Sequence, residues 1–432
     1  MQKNSFDRIS TDVVKTISKN NNEPTWMLDY RLDSLKKFHE SSFEQSNLFK
    51  KYNEFLTDLD IDNIDFKINS QEEETEHRGR HINFLQINGE MVERNINDDN
   101  GKAVLIDINE AIKKHPDIVQ SYIKKNPIRD KFEYLSDALF QTGLFIHIPK
   151  DTQILDTIRY INRQENSSCA VFNKNLIVLD DNSVCNLFIE HYSSAKPDVS
   201  DSIFGYSKDI FVSDNSELTI TEMELFNNNI ISFMNKRSEI GKQSKVKLAV
   251  GYLGGKVSRS RSYSNLTGNG SEIQDLHLVV GTKEEKHDLV TSIKHSGKNT
   301  KGSVDVKGVL TGKSYMTLKG MNKIENQAFN ADTFLGGHAI LLGKHARANI
   351  IPGLEIDNRN VQAKHSAAVA PIDENLLFYL QSRALDKNTA VKIIVTGFLE
   401  SILKRIEVET IREQIEEMVE FKFKEMVVVP TQ

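Results

Sequence analysis

The order of apolar and polar residues divides the chain into three parts. In residues 1–135 apolar positions recur at helical spacing, as in TWMLDYRLDSLKKFHESSFE, and a polar stretch at 67–102 favours surface loop with short strands such as INFLQI. Residues 136–370 consist of short alternating or apolar runs separated by turn sequences such as DDNS, GNGS and DNRN. Residues 371–432 return to helical spacing, with Asp373 and Asp386 as predicted N-caps.

The middle part predicts a mainly β core between helical regions. Its runs start roughly every 11–15 residues between 289 and 369, a spacing typical of all-β architectures. A sandwich or barrel stays possible on this pattern. A β-solenoid, in which each coil stacks on the previous one, fits the sustained rhythm better, although the sequence repeat itself is weak.

The segment VQAKHSAAV (361–369) alternates along a predicted strand. Residues of one parity lie on one face of a strand, which predicts an inward row of small side chains around a histidine. That row contains Val361, Ala363, His365, Ala367 and Val369.

Composition narrows the function classes. The chain has 432 residues and a formal net charge of −6, which disfavours a nucleic-acid partner. Cys169 and Cys185 are too few for a disulfide framework, and they predict buried thiols in a reducing, cytoplasmic setting. The N-terminus lacks an apolar signal core, and no apolar run approaches the roughly 20 residues of a membrane span, so no membrane association is expected.

Two motifs resemble ligand-binding sites, but neither meets the requirements of such a site. GYLGGK (251–256) lacks the spacing of a phosphate loop and is interpreted as a glycine turn between two coils. Lys256, Arg259 and Arg261 form a short basic alternation, which predicts a solvated strand face. No Ser–His–Asp or Cys–His pattern stands out, so the sequence carries no hydrolase signature.

Histidines are the remaining candidates for chemistry, because imidazole is the commonest metal ligand. None of them has the close spacing of a zinc site, and His365 is the best single candidate because its strand neighbours are small. The plain alternative is a buried histidine bonded to a backbone carbonyl. The five in the later β-region are His287, His295, His338, His345 and His365.

The C-terminal stretch PIDENLLFYLQSRALDKNTAVKIIVTGFLE closely resembles the hallmark of the SufB/SufD family, the scaffold subunits of the SUF iron–sulfur cluster assembly system. GGKVSRS, KHDLVTSIKHS, VKGVL and LEIDNRNVQAKHSAAV resemble the SufD core in order and approximate spacing. NEPTWMLDYRLDSLKKF instead resembles the N-terminus of SufB. The resemblance implies a right-handed parallel β-helix between helical N- and C-terminal regions, and a scaffold subunit.

The resemblance also implies partners and a cargo. The β-helix would pair with a SufB-like subunit or with a second copy of this chain, around a transient iron–sulfur cluster absent from the isolated chain. The functional cysteine of SufB falls at the position of Ile356 and its glutamate at Ser366, so this chain has neither. The functional histidine of SufD is matched by His365, which is expected to act in cluster assembly as a ligand shared across subunits.

The C-terminal helices are implied to bind a SufC-type ABC ATPase. Their apolar side chains could equally form ordinary core. A glycine inside a helix costs about 1 kcal/mol relative to alanine, so Gly397 predicts close packing against something. The region is represented by Leu376, Phe378, Tyr379, Leu380, Ile394, Gly397 and Phe398.

Two other hypotheses compete with the scaffold. One is a metal-dependent β-helix enzyme that uses His338, His345 and His365. The other is a structural β-solenoid that associates with itself and has no chemistry.

Overall fold

The computed structural model describes residues 9–42, 83–94, 103–123, 125, 130–165, 169–193, 201–406, 409, 412–413 and 415–420. Most of the predicted loop at 67–102 therefore lies outside the described residues. The helices are α1 (Thr11–Asn20), α2 (Thr25–Glu40), α3 (Ile108–Lys114), α4 (Pro116–Ile123), α5 (Lys131–Leu139), α6 (Glu374–Ser382) and α7 (Lys387–Leu403). Among the described residues, no helix is both long and apolar enough to cross a membrane.

In the described part of the chain, nineteen strands form two sheets that face each other across a lumen. Three short strands, β1 (Phe84–Ile87), β2 (Glu90–Arg94) and β3 (Val104–Asp107), pair antiparallel or parallel at the N-terminal end. The remaining strands pair in parallel with the strand two positions along the chain. They are β4 (Leu144–Ile148), β5 (Gln153–Gln164), β6 (Ala170–Leu179), β7 (Val184–Ser193), β8 (Ser202–Val212), β9 (Glu217–Leu225), β10 (Ile230–Ile240), β11 (Lys245–Tyr252), β12 (Val257–Leu266), β13 (Glu272–Gly281), β14 (Lys286–His295), β15 (Lys301–Leu310), β16 (Tyr315–Ile324), β17 (Asp332–Leu341), β18 (Arg347–Ile356) and β19 (Gln362–Pro371).

This topology is a parallel β-helix, so the solenoid prediction is confirmed and a sandwich or barrel is excluded. From β4 onward, the odd-numbered strands form, with β1 and β2, the sheet that ends at β19, and the even-numbered strands form, with β3, the sheet that ends at β18. We call these the odd-numbered sheet and the even-numbered sheet. Each coil contains one strand of each sheet. The last strands of the odd-numbered sheet begin 29 to 31 residues apart, at 272, 301, 332 and 362. This distance corresponds to two of the shorter runs seen in the sequence.

A repeated corner connects the two strands of each coil and explains the turn sequences. An asparagine adopts positive φ, as Asn182, Asn215 and Asn299 do at 55–58°, and the next residue is a buried serine or threonine. Asparagine tolerates this left-handed conformation better than most residues. The Ser216 hydroxyl accepts the Ser183 N–H at 3.0 Å, so successive corners are bonded to one another.

The N-terminal helices cover the outer face of the even-numbered sheet. Phe132 of α5 stacks on Phe233 of β10, with ring centroids 4.2 Å apart. A buried ladder of ion pairs runs beneath α5, in which Lys174 Nζ lies 2.8 Å from Asp137 Oδ1 and 2.6 Å from Asp209 Oδ2. Charge compensation therefore allows these ions to stay buried between helix and sheet.

The predicted solvated basic face is wrong for two of its three residues. Arg259 and Arg261 are buried, and they contact Asp130 at 2.7 Å and Asp288 at 2.5 Å. Burial alone would raise the pKa of Asp130, but the two guanidinium groups outweigh it and lower that pKa. Lys256 is exposed. The spacing of the charges did not reveal that α5 covers this part of the sheet.

The predicted glycine turn at 251–256 and the predicted burial of both thiols are confirmed. Gly254 and Gly255 connect β11 to β12 with positive φ, and a Cβ at Gly254 would lie 2.1 Å from the Phe226 carbonyl oxygen. Cys169 and Cys185 are both buried free thiols. Burial raises the pKa of Cys185 to about 12, which makes it an unreactive core residue.

The C-terminal helices begin where the sequence predicts. The Asp373 carboxylate accepts the N–H groups of Asn375 and Leu376, and the Asp386 carboxylate accepts those of Asn388 and Thr389. Val395, Leu399 and Leu403 of α7 pack on the outer face of the odd-numbered sheet. Residues 415–420 are helical and return to the same cluster through Ile415.

Candidate functional site

The C-terminal end of the β-helix is open. β18 and β19 are the last strands of their sheets, and no described residue pairs with their outer edges. Ile356 on β18 is 45% exposed and Val369 on β19 is 41% exposed, although both have the parity of buried lumen residues in the coils before them. The end of the solenoid therefore presents free backbone groups and apolar side chains together.

His365 lies on this open end. It is in register with Leu335 of β17, which is fully buried in the lumen, so the predicted inward parity is correct. The histidine is nevertheless exposed, because no coil of the described residues stacks on β19. The alternative of a buried histidine bonded to a backbone carbonyl is wrong for this chain.

The four other candidate histidines of the later β-region do not gather around His365. His338 is three positions beyond the partner of His365 on β17, so it points to the opposite face of the sheet, where its Nε2 lies 3.4 Å from Ser366 Oγ. His345 is exposed in the turn between β17 and β18. His287 and His295 are buried. Within the described ranges, no group of three or more metal-ligating side chains is present.

The C-terminal helices present a second exposed apolar surface. No side chain of α6 is fully buried, and Leu376, Phe378 and Tyr379 are 42%, 73% and 52% exposed. We call these three residues the α6 patch. Large apolar side chains clustered on one exposed helix are uncommon on a surface that contacts only water.

The remaining residues of that helical region have different surroundings. Leu380 and Ile394 are half-buried. Phe398 lies against the solenoid, with its ring centroid 4.2 Å from Lys307 Nζ. A Cβ at Gly397 would meet no atom within 4 Å, so the predicted close packing does not occur within the described chain.

The lumen holds a polar network that sequence analysis missed. Lys208 of β8 and Glu222 of β9 meet from opposite sheets at 2.7 Å, and His191 Nε2 lies 2.8 Å from the same carboxylate. A similar group lies farther along, where Lys236 Nζ and His277 Nε2 contact Asp275 Oδ1 at 2.8 and 3.2 Å. Each of these residues lies on the same face of its strand as the apolar residues of the lumen. That shared face could be recognised only once the strand register was known.

Burial separates the protonation states of two neighbouring glutamates in the lumen. Burial alone would raise the pKa of Glu222, but Lys208 and the hydrogen bond with His191 outweigh it and hold that pKa far below its usual range. Burial and the nearby charge of Glu222 raise the pKa of Glu224 to about 8. At neutral pH this neighbouring pair therefore consists of one ionised carboxyl group, on Glu222, and one protonated carboxyl group, on Glu224.

The fold and these surfaces define a class of protein: a parallel β-helix between helical regions, with an uncapped C-terminal end and an exposed apolar helical patch. The particular family follows from comparison with known proteins. Residues 160–398 match the family described as "SUF system FeS cluster assembly, SufBD core domain". This match covers more than half of the chain, so the chain belongs to the SufBD family of iron–sulfur cluster assembly proteins.

Curated relatives show the same similarity along nearly the whole chain. The iron–sulfur cluster assembly protein SufD of Bacillus subtilis is 26% identical, over 96% of this chain and 98% of its own length. The iron–sulfur cluster assembly protein SufB of the same organism is 23% identical, over 93% and 90%. A SufBD family protein of Staphylococcus epidermidis is 24% identical over 93% and 90%.

Proposed function

We propose that this chain is a SufD-like scaffold subunit of a SUF iron–sulfur cluster assembly complex in the cytoplasm, and that it is not itself an enzyme. The observation that carries the proposal is the open end of the β-helix, where two sheet edges and His365 are exposed together. Membership of the SufBD family and the greater identity to SufD than to SufB in B. subtilis support it. The functional parts are residues 1–135, the β-helix 136–370 and the helical subdomain 371–432.

The open end is the proposed pairing surface. The unpaired N–H and C=O groups of β18 and β19 can continue their ladders into another chain, and Ile356 and Val369 would be buried there. The partner is a SufB-like subunit or a second copy of this chain.

His365 is the proposed contribution of this chain to the nascent cluster. A neutral imidazole can ligate iron, but one histidine cannot hold a cluster, and neither Cys169 nor Cys185 is exposed. The softer thiolate ligands would therefore come from the partner across the pairing surface. The cluster is a transient cargo, and no cofactor is expected in the isolated chain.

The α6 patch is the proposed docking surface for a SufC-type ABC ATPase. Its three side chains lie on a helix that has no fully buried side chain. Their apolar surface is therefore removed from water only when a partner covers it. Gly397, whose surroundings are empty in this chain, would admit close approach of that partner.

The first experiment is anaerobic co-expression with an ABC-type ATPase from the same organism, followed by mass measurement by light scattering. We expect a stable complex that is lost on deletion of residues 371–432 and on Phe378→Ser. Leu155→Ser, a 69% exposed leucine on β5, is the matched control and should leave the complex intact. A chain that never binds the ATPase would overturn this part of the proposal.

The role of His365 is tested by His365→Ala in a strain that depends on this system for cluster delivery. Because the side chain is exposed, we expect unchanged folding and unchanged complex formation, with at least a severalfold loss of cluster delivery. The matched control is His345→Ala, which changes another exposed histidine, in the turn between β17 and β18. This variant should deliver clusters normally. Normal delivery by the His365 variant would exclude the proposed ligand role.

A further inference from the structure

The first coils of the β-helix place pairs of polar side chains opposite each other inside the lumen. His191 of β7 and Tyr206 of β8 are such a pair, and their ring centroids lie 4.6 Å apart. Asn162 of β5 is in register with His191, and Asn173 of β6 is in register with Tyr206. The two asparagines are therefore the equivalent pair one coil earlier, about 4.8 Å away along the solenoid. We call these four residues the lumen chamber.

The lumen chamber is deeply buried, and much of its polar surface is unpaired. None of its four residues is more than 2% exposed. Six of their polar atoms have no hydrogen-bond partner among the residues that the structure describes. They are Nδ2 and Oδ1 of Asn162, Nδ2 and Oδ1 of Asn173, Nδ1 of His191 and Oη of Tyr206. Leaving buried polar atoms unpaired destabilises a fold, so native proteins satisfy nearly all of them through protein groups or ordered water.

The layer on the N-terminal side of the chamber uses its own polar groups. Gln86 is in register with Asn162, and Thr142 pairs with Asn173 in an isolated parallel bridge. Thr142 Oγ1 lies 3.5 Å from Gln86 Oε1, and the same oxygen accepts the Tyr160 hydroxyl at 2.5 Å. This layer therefore closes the lumen without supplying partners to the two asparagines.

The asparagine pair also leaves room in the lumen. The same two sheets run past both coils, so the lumen keeps the roughly 10 Å width of face-to-face sheets. The histidine and tyrosine rings fill that width in their own coil, where they contact each other. Two asparagine side chains are much shorter and cannot fill the same width. A roomy polar site with several unpaired groups meets the conditions for buried water.

The six atoms define the chemistry of the ligand. His191 Nε2 lies 2.8 Å from the ionised Glu222 carboxylate and donates to it, so Nδ1 is the acceptor nitrogen. Burial lowers the pKa of His191, which keeps the ring neutral. Burial and the charge of Glu222 raise the pKa of Tyr206, so its hydroxyl keeps its proton, although it does not have hydrogen-bond geometry with that carboxylate.

The chamber consequently offers three donor groups and three acceptor groups. Donors repel a metal cation, and acceptors repel an anion. The set fits a small neutral molecule that both donates and accepts hydrogen bonds, and water is the smallest of these.

We propose that the lumen chamber binds a cluster of about two ordered waters that bridges the two sheets. A buried water makes about three hydrogen bonds, so two of them pair with all six atoms. The site needs no partner chain and goes beyond the proposed function. Because no chamber residue is exposed, these waters exchange with solvent much more slowly than surface waters do.

The test counts long-lived internal waters in the full chain by oxygen-17 magnetic relaxation dispersion. Asn162→Leu/Asn173→Leu replaces both amides by apolar groups of similar size and should remove about two waters. The matched control is Asn322→Leu. Asn322 is a fully buried lumen residue that donates to Thr333 Oγ1 at 2.9 Å and accepts the Ile293 N–H at 3.2 Å, so its loss should leave the count unchanged.

A crystal structure of the wild-type chain is the second readout and does not depend on the folding of a variant. Water density within about 2.6–3.2 Å of the Asn173 amide and of Tyr206 Oη would support the site. An equal water count in the wild type and the folded double variant would overturn it, as would an equal loss in the control. Density for a larger solute, or asparagines bonded directly to each other with no density between the sheets, would also overturn it.

Discussion

At the scale of single residues, the environment of a side chain decides its chemistry more than its identity does. Glu222 and Glu224 are two positions apart in one strand and project into the same lumen, yet their pKa values move in opposite directions. His365 and Leu335 occupy equivalent positions in successive coils, yet one is exposed and the other buried. The neighbouring charged groups explain the first difference, and position along the solenoid explains the second.

Glu224→Gln is expected to stabilise the protein as pH rises. The folded-state pKa of Glu224, about 8, is above its ordinary value of 4.5, so the folded state retains a proton that the unfolded state releases. Wild-type stability therefore falls between about pH 4.5 and 8, and the glutamine removes this loss, on the order of a few kcal/mol at pH 8.

Urea unfolding at pH 5.5 and pH 8 measures this effect. Glu222→Gln is the contrasting variant, because the pKa of Glu222 is lowered and its ionised form stabilises the fold above about pH 5. Glu224→Gln and wild-type stabilities that differ by the same amount at both pH values would contradict the assignment.

Gly397→Ala separates chain stability from docking. The added methyl group meets no atom of the described chain, so the variant should gain up to about 1 kcal/mol of helix stability. If a partner approaches the helix at this position, the same methyl group should weaken ATPase binding severalfold. Thermal unfolding and a binding titration measure the two effects, and unchanged binding would remove Gly397 from the docking surface.

At the scale of elements, charge pairs buried between helix and sheet determine how the N-terminal region is attached. α5 and its N-cap residue contribute carboxylates, β8 contributes a further one through Asp209, and strands β6, β10 and β12 contribute the cations. Such a ladder is costly to break, because removing one ion leaves its partner buried without compensation. The ladder therefore fixes the helix at one position on the sheet.

Lys174→Met tests that attachment. The change leaves Asp137 and Asp209 without their shared cation, and the expected loss is on the order of 3–5 kcal/mol of unfolding free energy. Lys245→Met is the control, because its pair with Glu217 is exposed and worth at most about 1 kcal/mol. Equal losses in the two variants, measured by denaturant unfolding, would show that the buried ladder does not hold the helix.

At the scale of the whole molecule, the β-helix has two different ends. The N-terminal end carries the short strands β1, β2 and β3, two of whose pairings are antiparallel, whereas the C-terminal end finishes at full-length parallel strands. An unprotected parallel edge tends to pair with another chain. The asymmetry makes one end of the solenoid the natural place for association.

We expect the isolated chain to associate with itself in a concentration-dependent way through this end. Val369→Asp should reduce that association at least severalfold, because it introduces a charge into the edge. Leu155→Asp, an equally simple surface change elsewhere, should not. Sedimentation or light scattering across a concentration series measures the effect, and association that survives Val369→Asp unchanged would place the contact on another surface.

The sequence by itself determined the class of fold, the caps of the C-terminal helices, the burial of both cysteines and the family. These follow from local signals: strand-length apolar runs, Asp373 and Asp386 before helical segments, and a specific C-terminal motif. The parity of His365 also follows from local alternation.

Only the tertiary structure decided which positions meet and which remain open. The exposure of His365 depends on the described coils ending at β19, and the empty surroundings of Gly397 depend on where α7 lies. The burial of Arg259 and the lumen contact of Lys208 with Glu222 depend on residues that are distant or on the opposite sheet. Local periodicity predicts the face of a strand or helix on which a side chain lies. The stacking of coils and the register of strands determine what that face contacts.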